Sequence, residues 1–377
     1  SLTVILSFTL FIQYFFSITY KLLLQADQKM YIVQLWQSLI TLLNIIAVVV
    51  SIKLFPELHF VKLCSVLLFA IQPVAYSHYV KKHYKLYKDV EPDKNSLAQR
   101  WACFGQNFAY FIHSNTDVVV LTLFSDLKTV SVYSVYLLVV KNLQNLFKSF
   151  SNAFNPMIGK AIAVNDYKQA SKYMETYEFV VSNVATIIFG CCIYLLPSFV
   201  LIYTHGVTDT NYYRVIFSTI IIFAEYIYCI RDPYVSVVYA AGKFKETSNS
   251  AYIEAIINIV LSVILVFKFG LEGIAVGTFI GMLYRMIYLV WFINKDIMPY
   301  PISNIVKRLS LSIGTIVISC LIVSVLDTTG SSTLILWVKN GVLCLGVYCA
   351  VTVVLNFAFD KELFLNVCKK AVRKRKG

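Results

Sequence analysis

Charge is scarce in this sequence: Asp, Glu, Lys and Arg make up 14% of its 377 residues, where soluble domains carry about 25%. So little charge cannot cover a water-facing surface. With 58% hydrophobic residues and a mean hydropathy of +0.70, the solvent is mostly lipid. Acidic residues are scarcer still, 20 against 33 basic, which leaves a formal net charge of +13. In a soluble protein that excess would point to nucleic acid. The charges sit in loops, however, so the excess reflects topology and no nucleic-acid partner is expected.

Metal and redox motifs are missing too. The nine cysteines form no paired C-x-x-C, and most lie inside apolar runs, including the adjacent Cys191 and Cys192. They read as small core hydrophobes rather than a disulfide or metal framework. The five histidines are dispersed, with no H-E-x-x-H spacing, so no metal, and no cofactor, is expected. There is also no initiator Met and no basic flank before the first apolar run. A signal peptide would need that flank, and the expectation is a piece of a longer chain.

What the sequence does have is long apolar runs. A bilayer core about 30 Å thick takes about 20 apolar residues per helix. By that ruler eleven spans are predicted, from Leu2 to Tyr20, Tyr31 to Ile52, Phe60 to Tyr79, Trp101 to Phe124, Val130 to Ile158 and Phe179 to Tyr203, then Val215 to Ala241, Ala251 to Phe267, Gly273 to Ile293, Leu309 to Leu326 and Leu334 to Phe357. The runs are continuously apolar, whereas barrel strands are about ten residues long and alternate, so the fold class is an all-α polytopic membrane protein.

Eleven alternating spans sort the basic residues unevenly. Lys53, Lys62, Lys128, Arg214, Lys268 and Lys339 fall on one side, Lys141, Lys148, Arg231 and Arg285 lie within spans, and the other 23 face the opposite side. The rich side is read as cytoplasmic, and with it the basic tail KKAVRKRKG at the C-terminus. An odd number of spans then puts Ser1 outside, which fits a chain that has lost an odd number of spans from its front.

The chain also repeats itself. Laying Lys29 on Lys243 pairs Tyr14 with Tyr228, Tyr20 with Tyr234, Ala26 with Ala240, Asn44 with Asn258 and Ile45 with Ile259. Equal spacing across a span, a polar loop and a second span indicates a parallel internal repeat, separated by six spans. The parent would have about fourteen spans, as two six-span lobes and a terminal pair. Residues 1–80 would be three helices of the first lobe, 81–100 a cytoplasmic connector, 101–300 the second six-helix bundle, and 301–377 the terminal pair and basic tail.

With that pattern the sequence resembles the Wzx-type polysaccharide flippases, in the superfamily of the MATE exporters and the lipid II flippases. The resemblance is carried by NTDVVVLTLFSDLKTVSVYSV (Asn115 to Val135), NAFNPMIGKAIAVNDYKQA (Asn152 to Ala170), the stretch from Arg231 to Val266, and FGLEGIAVGTFIG (Phe269 to Gly281). It covers essentially the whole chain, as helices four to fourteen of that architecture. It implies a MATE-like two-bundle transporter fold, with 11 of about 14 transmembrane helices in this chain. It further implies a flippase rather than an enzyme, in a bacterial cytoplasmic membrane. The cargo would be an undecaprenyl pyrophosphate-linked oligosaccharide for capsule, O-antigen or exopolysaccharide, with membrane lipids and the polysaccharide polymerase machinery as partners. Two alternatives are a MATE-type small-molecule exporter and a polytopic enzyme of polysaccharide assembly. Against an enzyme, no external loop exceeds about a dozen residues and no catalytic constellation is visible.

Ionisable groups inside spans cost about 2.5 to 3.5 kcal/mol on insertion scales, so each is a candidate functional residue. They are Asp117, Lys141, Lys148, Glu225, Arg231, Asp232, Glu254 and Arg285. Lys141, Asn145, Lys148, Asn152 and Asn155 are spaced 4, 3, 4 and 3 apart, which places them on one helix face. Such a face either lines a water-filled pathway or forms a polar seam against another helix. Lys141, Asn145, Lys148, Asn152, Arg231 and Arg285 are the candidate cavity residues, a cationic set suited to pyrophosphate and unsuited to cationic drugs. Asp117 is the first candidate for coupling to a proton or sodium gradient and Glu225 the second. Lys141 is expected beside Asp117, as a static ion pair or as part of the ion site. Pro233 predicts a helix break at Arg231 and Asp232, with a local pair between those two as the alternative role. Gly273, Gly277 and Gly281 predict a close-packing helix face.

Overall fold

A computed structural model describes residues 2–27, 29–55, 57–86, 100–151, 154–326 and 333–373. These residues form helices joined by short turns, and no strand occurs among them. The all-α polytopic reading holds. Among the described residues six helical segments are long and apolar enough to cross a membrane, one of them, Leu58–His83, made of two short helices.

The chain divides into two compact units, Ser1–Asp93 and Lys94–Gly377. In the first, α1 (Leu2–Ala26), α2 (Met30–Leu54), α3 (Leu58–Phe69) and α4 (Ile71–His83) pack around Leu24, Ile32, Val33, Tyr76 and Val80. The predicted span from Phe60 to Tyr79 is two helices that meet at Ala70. Pro73 has no N–H to offer the Phe69 carbonyl four residues earlier, which explains the break.

The second unit holds α5 (Arg100–Phe124), α6 (Leu127–Ser151), α7 (Asn155–Ala163), α8 (Tyr167–Tyr203), α9 (Val215–Ile230), α10 (Asp232–Ala240) and α11 (Phe244–Asp296). It ends with α12 (Ile302–Val325), α13 (Leu334–Phe359) and α14 (Lys361–Arg373). Asp166 caps α8 by accepting a hydrogen bond from the Gln169 N–H at 3.0 Å. The terminal helices are held to α8 through polar contacts: Asn183 and Asn356 exchange amide hydrogen bonds, and Trp337 Nε1 donates to the Leu195 carbonyl at 2.9 Å.

At 53 residues α11 is two spans, about 80 Å of helix at 1.5 Å per residue. It folds back at Gly270, whose φ of 56° and ψ of −127° suit only glycine. The two arms touch through Gly273, Gly277 and Gly281. A Cβ at Gly277 would meet the Ser262 backbone nitrogen at 2.9 Å, and one at Gly281 the Glu254 carbonyl at 3.1 Å. The predicted glycine face therefore serves the hairpin of α11 itself.

The two loops paired in the sequence repeat end their preceding helices with the same backbone hydrogen bonds. Lys29 N–H bonds the Leu24 carbonyl at 2.8 Å and Lys243 N–H bonds the Val238 carbonyl at 3.1 Å. Asp27 N–H to the Leu23 carbonyl and Ala241 N–H to the Val237 carbonyl follow at the same offset. Both lysines precede a helix in similar conformations, φ −100° and −88°. Their ion pairs differ. Lys29 reaches back to Asp27 at 2.8 Å, and Lys243 reaches forward to Glu246 at 3.2 Å.

Candidate functional site

Pro233 ends α9 as predicted, and the turn at Arg231 aims that side chain into the unit. Arg231 does not pair with its neighbour Asp232. Its Nη1 meets Glu254 Oε1 at 2.5 Å, with both side chains buried. Arg285, on the second arm of α11, approaches the other Glu254 oxygen at 3.9 Å and bonds the Thr247 carbonyl at 2.8 Å. Asp232 turns the other way and accepts from Tyr177 at 2.8 Å and from Ser151. One carboxylate thus collects two arginines from segments far apart in sequence.

Above this cluster lies a cavity of about 330 Å³ lined by Lys148, Arg231, Arg285, Asp232 and Glu254. Gln106, Asn107, Tyr110, Tyr228 and Tyr239 complete its polar wall. The Lys148 ammonium stands 4.8 Å from the Tyr228 ring centroid, and Arg231 stacks on the same ring at 4.6 Å. Aromatic faces hold the Lys148 ammonium without neutralising it. Three cations face two carboxylates, one of which is shared by the two arginines, so the cavity keeps a positive balance. It can take an anion, with amide and phenol groups at hand for hydroxyls.

Asp117 lies deeper, on α5, 3% exposed. Tyr133 donates to it at 2.7 Å, Thr278 at 2.8 Å and Asn258 at 3.3 Å. Among the described residues no cation reaches it. Lys141, expected beside it, instead pairs with Glu225 at 3.3 Å, and Gln144 donates to the same carboxylate at 2.9 Å. Depth along α6 decides this: Lys141 and Gln144 lie eight and eleven residues beyond Tyr133, about 12 and 16 Å further along the helix, and meet Glu225 of α9 there. The two candidate coupling residues therefore differ. Glu225 is bound to an ammonium, and Asp117 is held by neutral donors alone.

The predicted stripe on the fifth span is cut short. Lys141, Asn145 and Lys148 lie on α6, but Asn155 begins α7, where it accepts from Ser236 at 2.7 Å. Asn145 is exposed and engaged in a contact of its own. Asn152 lies outside the described residues, as does most of the connector between 81 and 100. The continuous-helix assumption failed at Pro156, which cannot donate to the turn before it. Glu254 was among the predicted candidates, whereas Tyr110, Tyr228, Asn258 and Thr278 were not. The signal for Asn258 was present, since it lies four residues from Glu254 inside an apolar run, and polar side chains so spaced mark a face turned away from lipid.

The inward closed structure of the lipid II flippase MurJ matches this one with a TM-score of 0.69, over 96% of this chain and 74% of that one, at 17% identity. The chain has the MurJ fold. A MOP superfamily transporter from Pyrococcus furiosus matches at a TM-score of 0.45 and 12% identity, over 72% of this chain and 67% of that one. No protein-family model and no curated protein matches the sequence. The MurJ fold agrees with the MATE-like, two-bundle transporter fold that the family resemblance implied, and it makes this a multi-pass membrane protein.

Proposed function

We propose that this protein is a flippase for a lipid-linked oligosaccharide repeat unit carried on undecaprenyl pyrophosphate. It acts by alternating access in a bacterial cytoplasmic membrane, with its C-terminus inside, and serves capsule, O-antigen or exopolysaccharide synthesis beside the polymerase machinery. The observation that carries this reading is the cavity in which Lys148, Arg231 and Arg285 outnumber the carboxylates. Buried positive charge demands an anion, and a pyrophosphate bridging lipid and sugar supplies one. The MurJ fold supports a lipid-linked cargo. The same charge balance disfavours a cationic drug as cargo.

Lys148 and Arg231 hold the phosphates, while Asn107, Tyr110 and Tyr239 meet sugar hydroxyls. Asp117, rather than Glu225, couples the cycle to a proton or sodium gradient. Neutral donors hold Asp117, so its counter-charge can come from the coupling ion, whereas Glu225 already has that of Lys141. The test is rescue of surface polysaccharide in a flippase-null bacterium by the gene's whole coding region, compared with Lys148→Ala, a change at a cation held by aromatic faces. Rescue by the wild type and loss in the variant, at equal protein level, is expected. Full rescue by the variant would sink the cationic-cavity reading.

A further inference from the structure

Gln106, on α5, lies in the wall of the cation cavity and is only 4% exposed. Its Nε2 donates to the Phe244 carbonyl at 2.6 Å and to Thr247 Oγ1 at 2.9 Å, which uses both of its N–H groups. Thr247 Oγ1 gives its own proton to the Lys243 carbonyl at 2.8 Å. Toward Gln106 it can therefore only accept, as the Phe244 carbonyl must. These two acceptors fix which end of the amide is which, because a turned amide would set its oxygen against both of them. The other end, Oε1, has no hydrogen-bond partner among the described residues. A buried carbonyl left without a donor is costly.

The contacts around Gln106 place this free acceptor beside the cations. Arg285 donates to the carbonyl of the same Thr247 at 2.8 Å, so the amide and the guanidinium meet on one residue. Arg285 and Arg231 share Glu254, and Arg231 shares the Tyr228 ring with Lys148. The row thus begins at the cations that attract an anion and ends at an oxygen that lacks a donor.

We propose that Gln106 Oε1 accepts a hydrogen bond from the cargo's first sugar, from the hydroxyl or acetamido N–H at its C2. A sugar joined to a phosphate through C1 carries its nearest donor at C2, which is the group an acceptor beside the cations can reach. A sugar without a donor there leaves Oε1 unpaired and binds more weakly. Gln106 is in this way a specificity-determining residue, and the inference rests on the cationic-cavity reading above.

Three sugar phosphates test it on the full chain in lipid nanodiscs at pH 8.0, where each phosphate is doubly charged. Sulfate is the reference for the cations alone. Glucose 1-phosphate has a C2 hydroxyl that can donate, 2-deoxyglucose 1-phosphate has no polar group at C2, and 2-deoxy-2-fluoroglucose 1-phosphate has a polar atom there that cannot donate. The wild type should bind glucose 1-phosphate about five- to tenfold more tightly than the other two, the size of one neutral hydrogen bond. Gln106→Met, which has no acceptor at that place, should bind all three alike. A wild type that binds the three equally, binds sulfate and none of the three, or binds the fluoro compound as tightly as glucose 1-phosphate overturns the role of Gln106 and leaves the cavity reading standing. So does a Gln106→Met protein that keeps the preference. A wild type that binds neither sulfate nor any sugar phosphate overturns both. The fluoro comparison uses the wild type, so it decides the matter even where Gln106→Met loses its bonds to α11 and fails to fold.

Discussion

Arg231, at the break between α9 and α10, meets Glu254 of α11 at 2.5 Å, and both side chains are buried. A buried pair of this kind contributes little beyond an apolar pair of equal volume, but removing one partner strands the other, at a cost of about 3–5 kcal/mol. Arg231→Met or Glu254→Leu alone should therefore lower the unfolding temperature in detergent sharply, and the double variant should recover much of the loss. The double variant should still fail to bind sulfate. Independent, additive destabilisation would show that the pair is not coupled.

Lys148 and Lys141 should separate in the same assay. The Lys148 ammonium has aromatic faces beside it, so Lys148→Ala should leave the unfolding temperature nearly unchanged. Its sulfate affinity should fall about 10- to 100-fold, the size of one charged hydrogen bond. Lys141→Ala removes the partner of buried Glu225 and should reduce stability first. Equal effects of the two changes on stability would contradict this assignment.

Asp117→Asn keeps the shape of the side chain and its contacts with Tyr133 and Thr278. The variant should fold and bind sulfate like the wild type, yet transport in vesicles should lose its dependence on a proton or sodium gradient. Gradient-driven transport that survives the change would move the coupling role elsewhere, with Glu225 next in line.

Gly277→Ala drives a methyl group into Ser262 on the opposite arm of α11. Overpacking of this kind costs about 1–3 kcal/mol, readable as a drop in unfolding temperature. Gly346→Ala, where a Cβ meets nothing within 4 Å, is the matched control and should not destabilise. Similar behaviour of the two variants would show that the hairpin arms are further apart than described.

Much of the fold was legible in one dimension, because in lipid the backbone must satisfy itself and helix is the local solution. Each predicted span corresponds to a helix, to a pair of helices or to one arm of α11. The prolines at 73, 156 and 233 marked the breaks, although only the one at 233 was anticipated. Glycine spacing foretold a close face, and the spacing around Lys29 and Lys243 foretold two loops that share backbone hydrogen bonds.

By itself the sequence determined what each residue can do locally: which runs enter lipid, where helices stop, and which buried groups carry charge. Only the tertiary structure decided who meets whom. It gave Lys141 to Glu225 rather than Asp117, sent Asp232 to Tyr177 rather than Arg231, and paired Arg231 with Glu254. Pairing depends on the rotation of each helix about its axis and on the register between neighbours. Both are fixed by packing over many residues at once, and one residue of slip turns a side chain by about 100°.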